Sequence, residues 1–203
     1  MYVIGLTGGI GTGKSAVAQL LAEQGAVILN ADRVGHEVYA RGGPAYDDVI
    51  AEFGAEIVAA DGSIDRKKLG PIVFSSPEKL ARLNAITHPR MKEMMREKLT
   101  DAARSRAEVA VLEAALLFDA GWDDLTDEVW VTVVDAQTAA RRASERSGIP
   151  VGQVLERIQK AQMASDERIR RSDIVIDTTG TLGDTRRRTL EAWDELRRRL
   201  SEA

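Results

Sequence analysis

Gly8-Gly9-Ile10-Gly11-Thr12-Gly13-Lys14-Ser15 is the stretch of this chain best equipped for chemistry. Its spacing is that of a phosphate-binding loop, G-x-x-x-x-G-K-[ST]. The glycines permit backbone torsions that a Cβ would block. Successive N–H groups can then converge on phosphate oxygens at a helix N-terminus, where the dipole favours anions. Gly9, Ile10, Gly11, Thr12 and Gly13 are candidates for that cradle, Lys14 would reach the outer phosphates, and Ser15 would hold Mg²⁺. Asp32, in Asn30-Ala31-Asp32, could accept a proton from an attacking hydroxyl or bind Mg²⁺ through water. The alternative is that it caps a helix starting near Arg33. Glu113 either joins the metal or hydroxyl environment or is a solvated loop charge. Arg142 and Arg146, four apart, should share a helix face. Guanidinium groups pair well with phosphate oxygens, although an ordinary solvated face has the same spacing.

These groups need a scaffold, and the apolar runs supply one. Tyr2 to Leu6 reads as a strand before the glycine loop, and Ala16 to Leu21 as the helix after it, ending near Gln24 at Gly25. Ala26 to Leu29, Val109 to Leu112, Val129 to Val134 and Ile174 to Ile176 read as four more short buried strands. The pattern predicts an α/β fold with a five-stranded parallel sheet flanked by helices. In such sheets ligands bind outside the carboxyl ends of the strands, which directs Asp32 toward the same crevice as the glycine loop.

From Val34 to Ala107 helical patterns recur without a parallel strand. Candidate helices cover Asp47 to Phe53, Arg66 to Val73, Glu78 to Thr87 and Arg90 to Ser105, with breaks including Asp61-Gly62 and His88-Pro89. This predicts a helical insertion, 34–107, in a core made of 1–33 and 108–203. It is suited to a second substrate, or else it only supports the fold. An arginine-rich helical pair within 136–165 is placed as a lid over phosphates. Leu190, Trp193, Leu196 and Leu200 give a final helix its core face.

A net charge of −4 with 30% charged residues, and acidic residues interspersed among the C-terminal arginine runs, argue against a nucleic-acid binder. The absence of Cys removes disulfides, thiol catalysis and cysteine zinc sites, and two histidines are too few for a histidine metal centre. No apolar run reaches the roughly 18–20 residues of a membrane span, and no signal-peptide pattern opens the chain, so a cytoplasmic protein is expected. A monomer is compatible with these features.

Over nearly its whole length the chain resembles the dephospho-coenzyme A kinase family. The resemblance rests on GLTGGIGTGKS at Gly5 to Ser15, NAD at Asn30 to Asp32 and SIDRKKLGPIVF at Ser63 to Phe74. It extends through LNAITHP at Leu83 to Pro89, ALLFD at Ala115 to Asp119, Arg142, Arg146 and Gln162, and IVIDTTG at Ile174 to Gly180. It implies a P-loop kinase core that uses ATP and Mg²⁺ to phosphorylate the ribose 3′-hydroxyl of dephospho-coenzyme A, the last step of coenzyme A biosynthesis. The helical insertion would bind the acceptor and an arginine-bearing lid would close over the reaction. Lys14 and Ser15 would serve phosphate and metal, Asp32 would be the base, Arg142 and Arg146 the lid arginines, and His88 part of the acceptor site. Asn30, Ala115, Asp119 and Thr179 depart from the commonest family residues, the last at a position near the adenine. Two other readings remain: a kinase for another small acceptor, and a regulatory nucleotide switch, for which the guanine-reading N-K-x-D element is lacking.

Overall fold

The computed structural model describes residues 1–160 and 165–202. In chain order the elements are β1 (Tyr2–Gly8), α1 (Lys14–Glu23), β2 (Val27–Asn30), α2 (Ala31–Glu37), α3 (Tyr46–Phe53), α4 (Arg66–Val73), α5 (Pro77–Arg104), β3 (Val109–Glu113), β4 (Glu128–Val133), α6 (Ala136–Ser147), α7 (Val151–Gln159), α8 (Ser165–Arg170), β5 (Ile174–Asp177) and α9 (Leu182–Glu202). They form two compact units, Met1–Leu29 with Ala102–Ala203, and Asn30–Asp101.

The first unit holds the expected five-stranded parallel sheet, in the order β2-β3-β1-β4-β5. The strands are nearly uninterrupted apolar runs because helices cover both faces, so no alternate residue needs to meet water. Ile4, Leu6, Val111 and Trp130 of the sheet pack with Val17 and Leu21 of α1 and with Trp193 and Leu196 of α9. At the amino edge, side chains satisfy strand amides that the ladder leaves over. Asp127 accepts from Val3 N at 2.7 Å, and Asp173 from Val129 N at 2.7 Å.

In the second unit, Asn30 caps α2 by accepting from Arg33 N, and Asp65 caps α4 by accepting from Lys67 N. A single antiparallel bridge, Val58 to Ile64, closes over the Asp61-Gly62 turn. The sequence predicts two helices parted at His88-Pro89, whereas the structure has one, α5, running through Pro89. A proline there forfeits the bond to the Ala85 carbonyl, at a cost of about 3 kcal/mol. Met91, Met95 and Leu99, four residues apart, are all buried along one stripe. At about 1.5–3 kcal/mol each, that burial outweighs the break. The Arg90 guanidinium also donates to the Ile86 carbonyl at 2.7 Å, one residue beyond the forfeited acceptor.

Thr7, the penultimate residue of β1, is fully buried, and its hydroxyl has no hydrogen-bond partner among the described residues. Such an orphan costs about 1–3 kcal/mol, and an apolar group of the same shape removes the cost. Thr7→Val should therefore leave the thermal midpoint unchanged or raise it. A loss of more than about 1 kcal/mol in denaturant unfolding would show that the hydroxyl has a partner such as a buried water.

Candidate functional site: a phosphate cradle at the carboxyl ends of the sheet

The register of the sheet places the chemistry. Gly8 pairs with Thr132 of β4, Leu6 with Glu113 of β3, and Val133 with Asp177 of β5. The glycine loop, Glu113, Thr132 and Asp177 therefore meet at one edge. Gly13 takes a left-handed conformation (φ 83°, ψ 12°) as the residue before α1, which has neither a side-chain cap nor an acidic residue in its first turn. No side chain of the protein therefore competes with an external anion at this helix start, where the dipole favours negative charge. Gly11 also has a positive φ (73°), and a Cβ on it would lie 2.0 Å from the Ala139 carbonyl of α6. Torsion and space both demand glycine there.

Three threonines fix the loop. Thr12 Oγ1 donates to the Gly9 carbonyl at 2.9 Å and lies 2.7 Å from Thr132 Oγ1, which in turn lies 3.3 Å from the Thr7 carbonyl. From the other side, Thr178 Oγ1 is within hydrogen-bonding distance of the Thr12 and Val133 carbonyls, at 2.9 and 3.1 Å. Thr12, Thr132 and Thr178 are all buried. A network of this kind in a low dielectric holds its geometry because breaking it strands polar groups away from water.

Ser15 Oγ donates to Glu113 Oε1 at 2.9 Å, and Glu113 is buried. This pairing favours the site reading of Glu113 over a solvated loop charge. Hydroxyl and carboxylate oxygens are hard donors, the type that Mg²⁺ takes alongside phosphate oxygens and water. Lys14, the first residue of α1, is half-buried beside them in sequence. Ile10 at the loop tip is exposed, so its backbone and not its side chain belongs to the cradle.

Arg142 and Arg146 of α6 part company. Arg142 donates to the Thr178 hydroxyl at 3.2 Å, the Thr178 carbonyl at 3.0 Å and the Gly180 carbonyl at 3.5 Å, clamping the β5–α9 connection. Arg146, one turn on, is exposed. Thr179 lies between the clamped residues: its N–H donates to Asp177 Oδ1 at 2.7 Å, and its carbonyl accepts from Arg188 at 3.1 Å. Gln162 and neighbouring residues of the expected lid lie outside the described residues. Asp32 is exposed in the first turn of α2, in the second unit. Asn30 performs the capping, so the alternative in which Asp32 is the helix cap is withdrawn.

Sequence reasoning missed Thr132, Thr178 and Arg168. The threonines sit in ordinary strand and loop contexts, and only the register brings them to the loop. Arg168 of α8 is 6% exposed, and its Nη1 would lie 3.9 Å from a Cβ built on Gly9. A cavity of about 310 Å³ opens here, lined by Gly9, Thr12, Thr132, Asp135, Arg168 and Thr179 among others. A larger one, about 570 Å³, lies at the amino edge by Tyr2, Glu108 and Asp127. It is remote from the loop and on the wrong side of the sheet for ligands of open parallel folds. We assign the chemistry to the smaller.

A parallel sheet with this loop before α1 and a hydroxyl–carboxylate pair beside it defines a P-loop nucleotide-binding protein of the small-molecule kinase type. Residues 2–184 match the family model described as dephospho-CoA kinase. The dephospho-CoA kinase of Moorella thermoacetica is 41% identical over 203 residues, which is all of this chain and 95% of that protein. The chain belongs to the dephospho-CoA kinase family. Among solved structures, TT1252 from Thermus thermophilus matches with a TM-score of 0.78 at 34% identity, covering 94% of this chain and 95% of the other. Dephospho-CoA kinase from Campylobacter jejuni matches with a TM-score of 0.72, covering 96% of each, and at 22% identity it speaks for the fold.

Two predictions concern the loop's supports. Thr178→Val strips the Thr12 carbonyl of a buried donor, so we expect a stability loss of about 1–3 kcal/mol and weaker nucleotide binding, read by thermal shift and nucleotide titration. Asp177 has its pKa lowered first by the hydroxyl and then by the N–H of Thr179, against partial burial and with help from Arg188. A lowered folded-state pKa gives stability that is present above the ordinary carboxylate value and lost as pH falls through the folded value. The melting-point advantage of wild type over Asp177→Asn should thus exist at neutral pH and shrink as the pH falls through the acid side of the usual Asp range. It should be small, because the carboxylate is 47% exposed and screened.

Proposed function

We propose that this protein is a dephospho-CoA kinase that transfers the γ-phosphoryl group of ATP to the ribose 3′-hydroxyl of dephospho-CoA, giving CoA and ADP in the cytoplasm. The observation that carries this reading is the phosphate cradle, with its uncapped α1 and its Ser15–Glu113 pair, in a chain of this family. The amides from Gly9 to Ser15 and the Lys14 ammonium bind the triphosphate. Ser15, with Glu113 beside it, would hold Mg²⁺, which when bound supplies charge neutralisation at the β- and γ-phosphate oxygens.

Asp32 accepts the proton of the 3′-hydroxyl as that oxygen bonds to the γ-phosphorus and the bond to the β–γ bridging oxygen breaks, releasing ADP. Its support is positional: it follows the carboxyl end of β2 by two residues, and Asn30 relieves it of the capping duty. The helical segment 34–107, with His88 in its framework, supplies the acceptor pocket. Segment 136–165 is the lid, excluding water so that ATP is not wasted by hydrolysis. Because Arg142 is engaged with Thr178 and Gly180, the exposed Arg146 is the arginine of this pair that is available for a phosphate. Thr179, on the clamped connection, lies on the adenine side.

Purified protein with ATP, Mg²⁺ and dephospho-CoA should form CoA and ADP in equal amounts. ADP that forms only with another small alcohol would make it a different small-molecule kinase, and ADP formation indifferent to any acceptor would sink the kinase reading. Asp32→Asn should lower turnover by about 10²–10⁴-fold, the usual worth of a general base, while ATP binding stays within a few-fold of wild type. Near-normal turnover would remove Asp32 from the mechanism.

A further inference from the structure

Arg168 stands apart from the other arginines of its neighbourhood. Arg170 pairs with Glu167 at 2.5 Å, Arg171 with Asp123 at 3.0 Å, and Arg188 bonds the Asp177 carbonyl at 2.6 Å. Each of these partnerships lies at least partly in solvent. Arg168 is 6% exposed, and among the described residues no hydrogen bond or ion pair is made to its guanidinium. Burial pulls its pKa down, and only the more distant negative charge of Asp119 opposes that pull.

A guanidinium does not escape this by losing its proton, because its pKa stays above the physiological range. A charge this withdrawn from solvent without a hydrogen-bonded partner is costly, so the fold carries a penalty at this position. The cation faces the 310 Å³ cavity together with Gly9 and Thr12 of the phosphate loop. Nη1 lies 3.9 Å from where a Cβ on Gly9 would stand, so the guanidinium edges the loop. An anion held by the loop is the partner the geometry lacks.

The place along the loop decides which anionic group. The amides where the loop enters α1 serve the inner phosphates, and Lys14 reaches from there toward the outer ones. Gly9 lies at the other end, near the close of β1, and Arg168 adds charge there. We propose that Arg168 binds the terminal phosphoryl group of ATP, the group the kinase transfers, and discriminates ATP from ADP. The proposal rests on the kinase reading for the identity of the triphosphate. A planar fork of N–H donors suits the equatorial oxygens of a phosphoryl group, whose negative charge the protein must hold as transfer proceeds.

The test compares wild type, Arg168→Ala and Arg168→Lys by titration with ADP and with the β,γ-imido analogue of ATP, followed by thermal shift without nucleotide. In Arg168→Ala the analogue should bind about 10-fold or more weakly, as expected for charged hydrogen bonds, and ADP within about 3-fold of wild type. The free protein should melt no lower, since an unpaired buried charge has been removed. Arg168→Lys, which keeps the charge but not the fork, should recover part of the preference for the analogue. Equal weakening of both nucleotides, or an unchanged ratio of the two affinities, would overturn the proposal. Should Arg168→Ala fail to fold, Arg168→Lys decides alone: its analogue-to-ADP preference must fall by at least about 3-fold, and an unchanged preference refutes the assignment. Failure of dephospho-CoA to be phosphorylated by wild type would count against the acceptor and leave this affinity ratio standing.

Discussion

The contact between the Thr12 and Thr132 hydroxyls is the constraint on which the rest of the site depends. A glycine-rich loop has many conformations to lose, and a cradle of amides works only if its donors are already aimed before the ligand arrives. Thr132 ties the middle of the loop to β4, Thr178 ties the same residue to the end of β5, and the Ala139 carbonyl blocks Gly11 from above. Three elements far apart in sequence thus remove freedom from a few residues. The sheet order makes this possible by placing β1 between β3 and β4, so the loop is flanked by Glu113 on one side and by Thr132 on the other.

Much of this was legible in the sequence where the cause is local. The glycine loop announces itself by spacing, the five strands by short apolar runs, and the end of α1 by Gly25. The triphosphate site could be read because its donors are consecutive residues. The threonine network could not, since Thr12, Thr132 and Thr178 look like any other threonines until the parallel register is known. Arg168 was hidden in the same way. It sits in a run of charged residues that reads as a solvated face, and only burial and the nearness of Gly9 distinguish it from Arg170 and Arg171.

Pro89 shows the converse failure. A local rule, that proline ends a helix, gave a break that the protein does not have. The rule concerns one hydrogen bond, whereas α5 is held by a stripe of buried side chains whose combined worth is greater. The pair Arg142 and Arg146 is a milder case. Spacing correctly put both on one helix, but could not tell that Arg142 reaches three acceptors on the β5–α9 connection while Arg146 remains in solvent.

The uncapped start of α1 carries a consequence for the protein's persistence as well as for its ligand. A helix start with no side-chain cap is a site that a nucleotide can complete, and a nucleotide held there binds the folded chain and not the unfolded one. Stability is then linked to metabolite supply: at a ligand concentration about 100 times the dissociation constant the folded state gains roughly 2.7 kcal/mol. A cell rich in adenine nucleotide would hold this fold more firmly than a starved one, so energy status would reach the amount of folded protein by mass action, without a separate regulatory site.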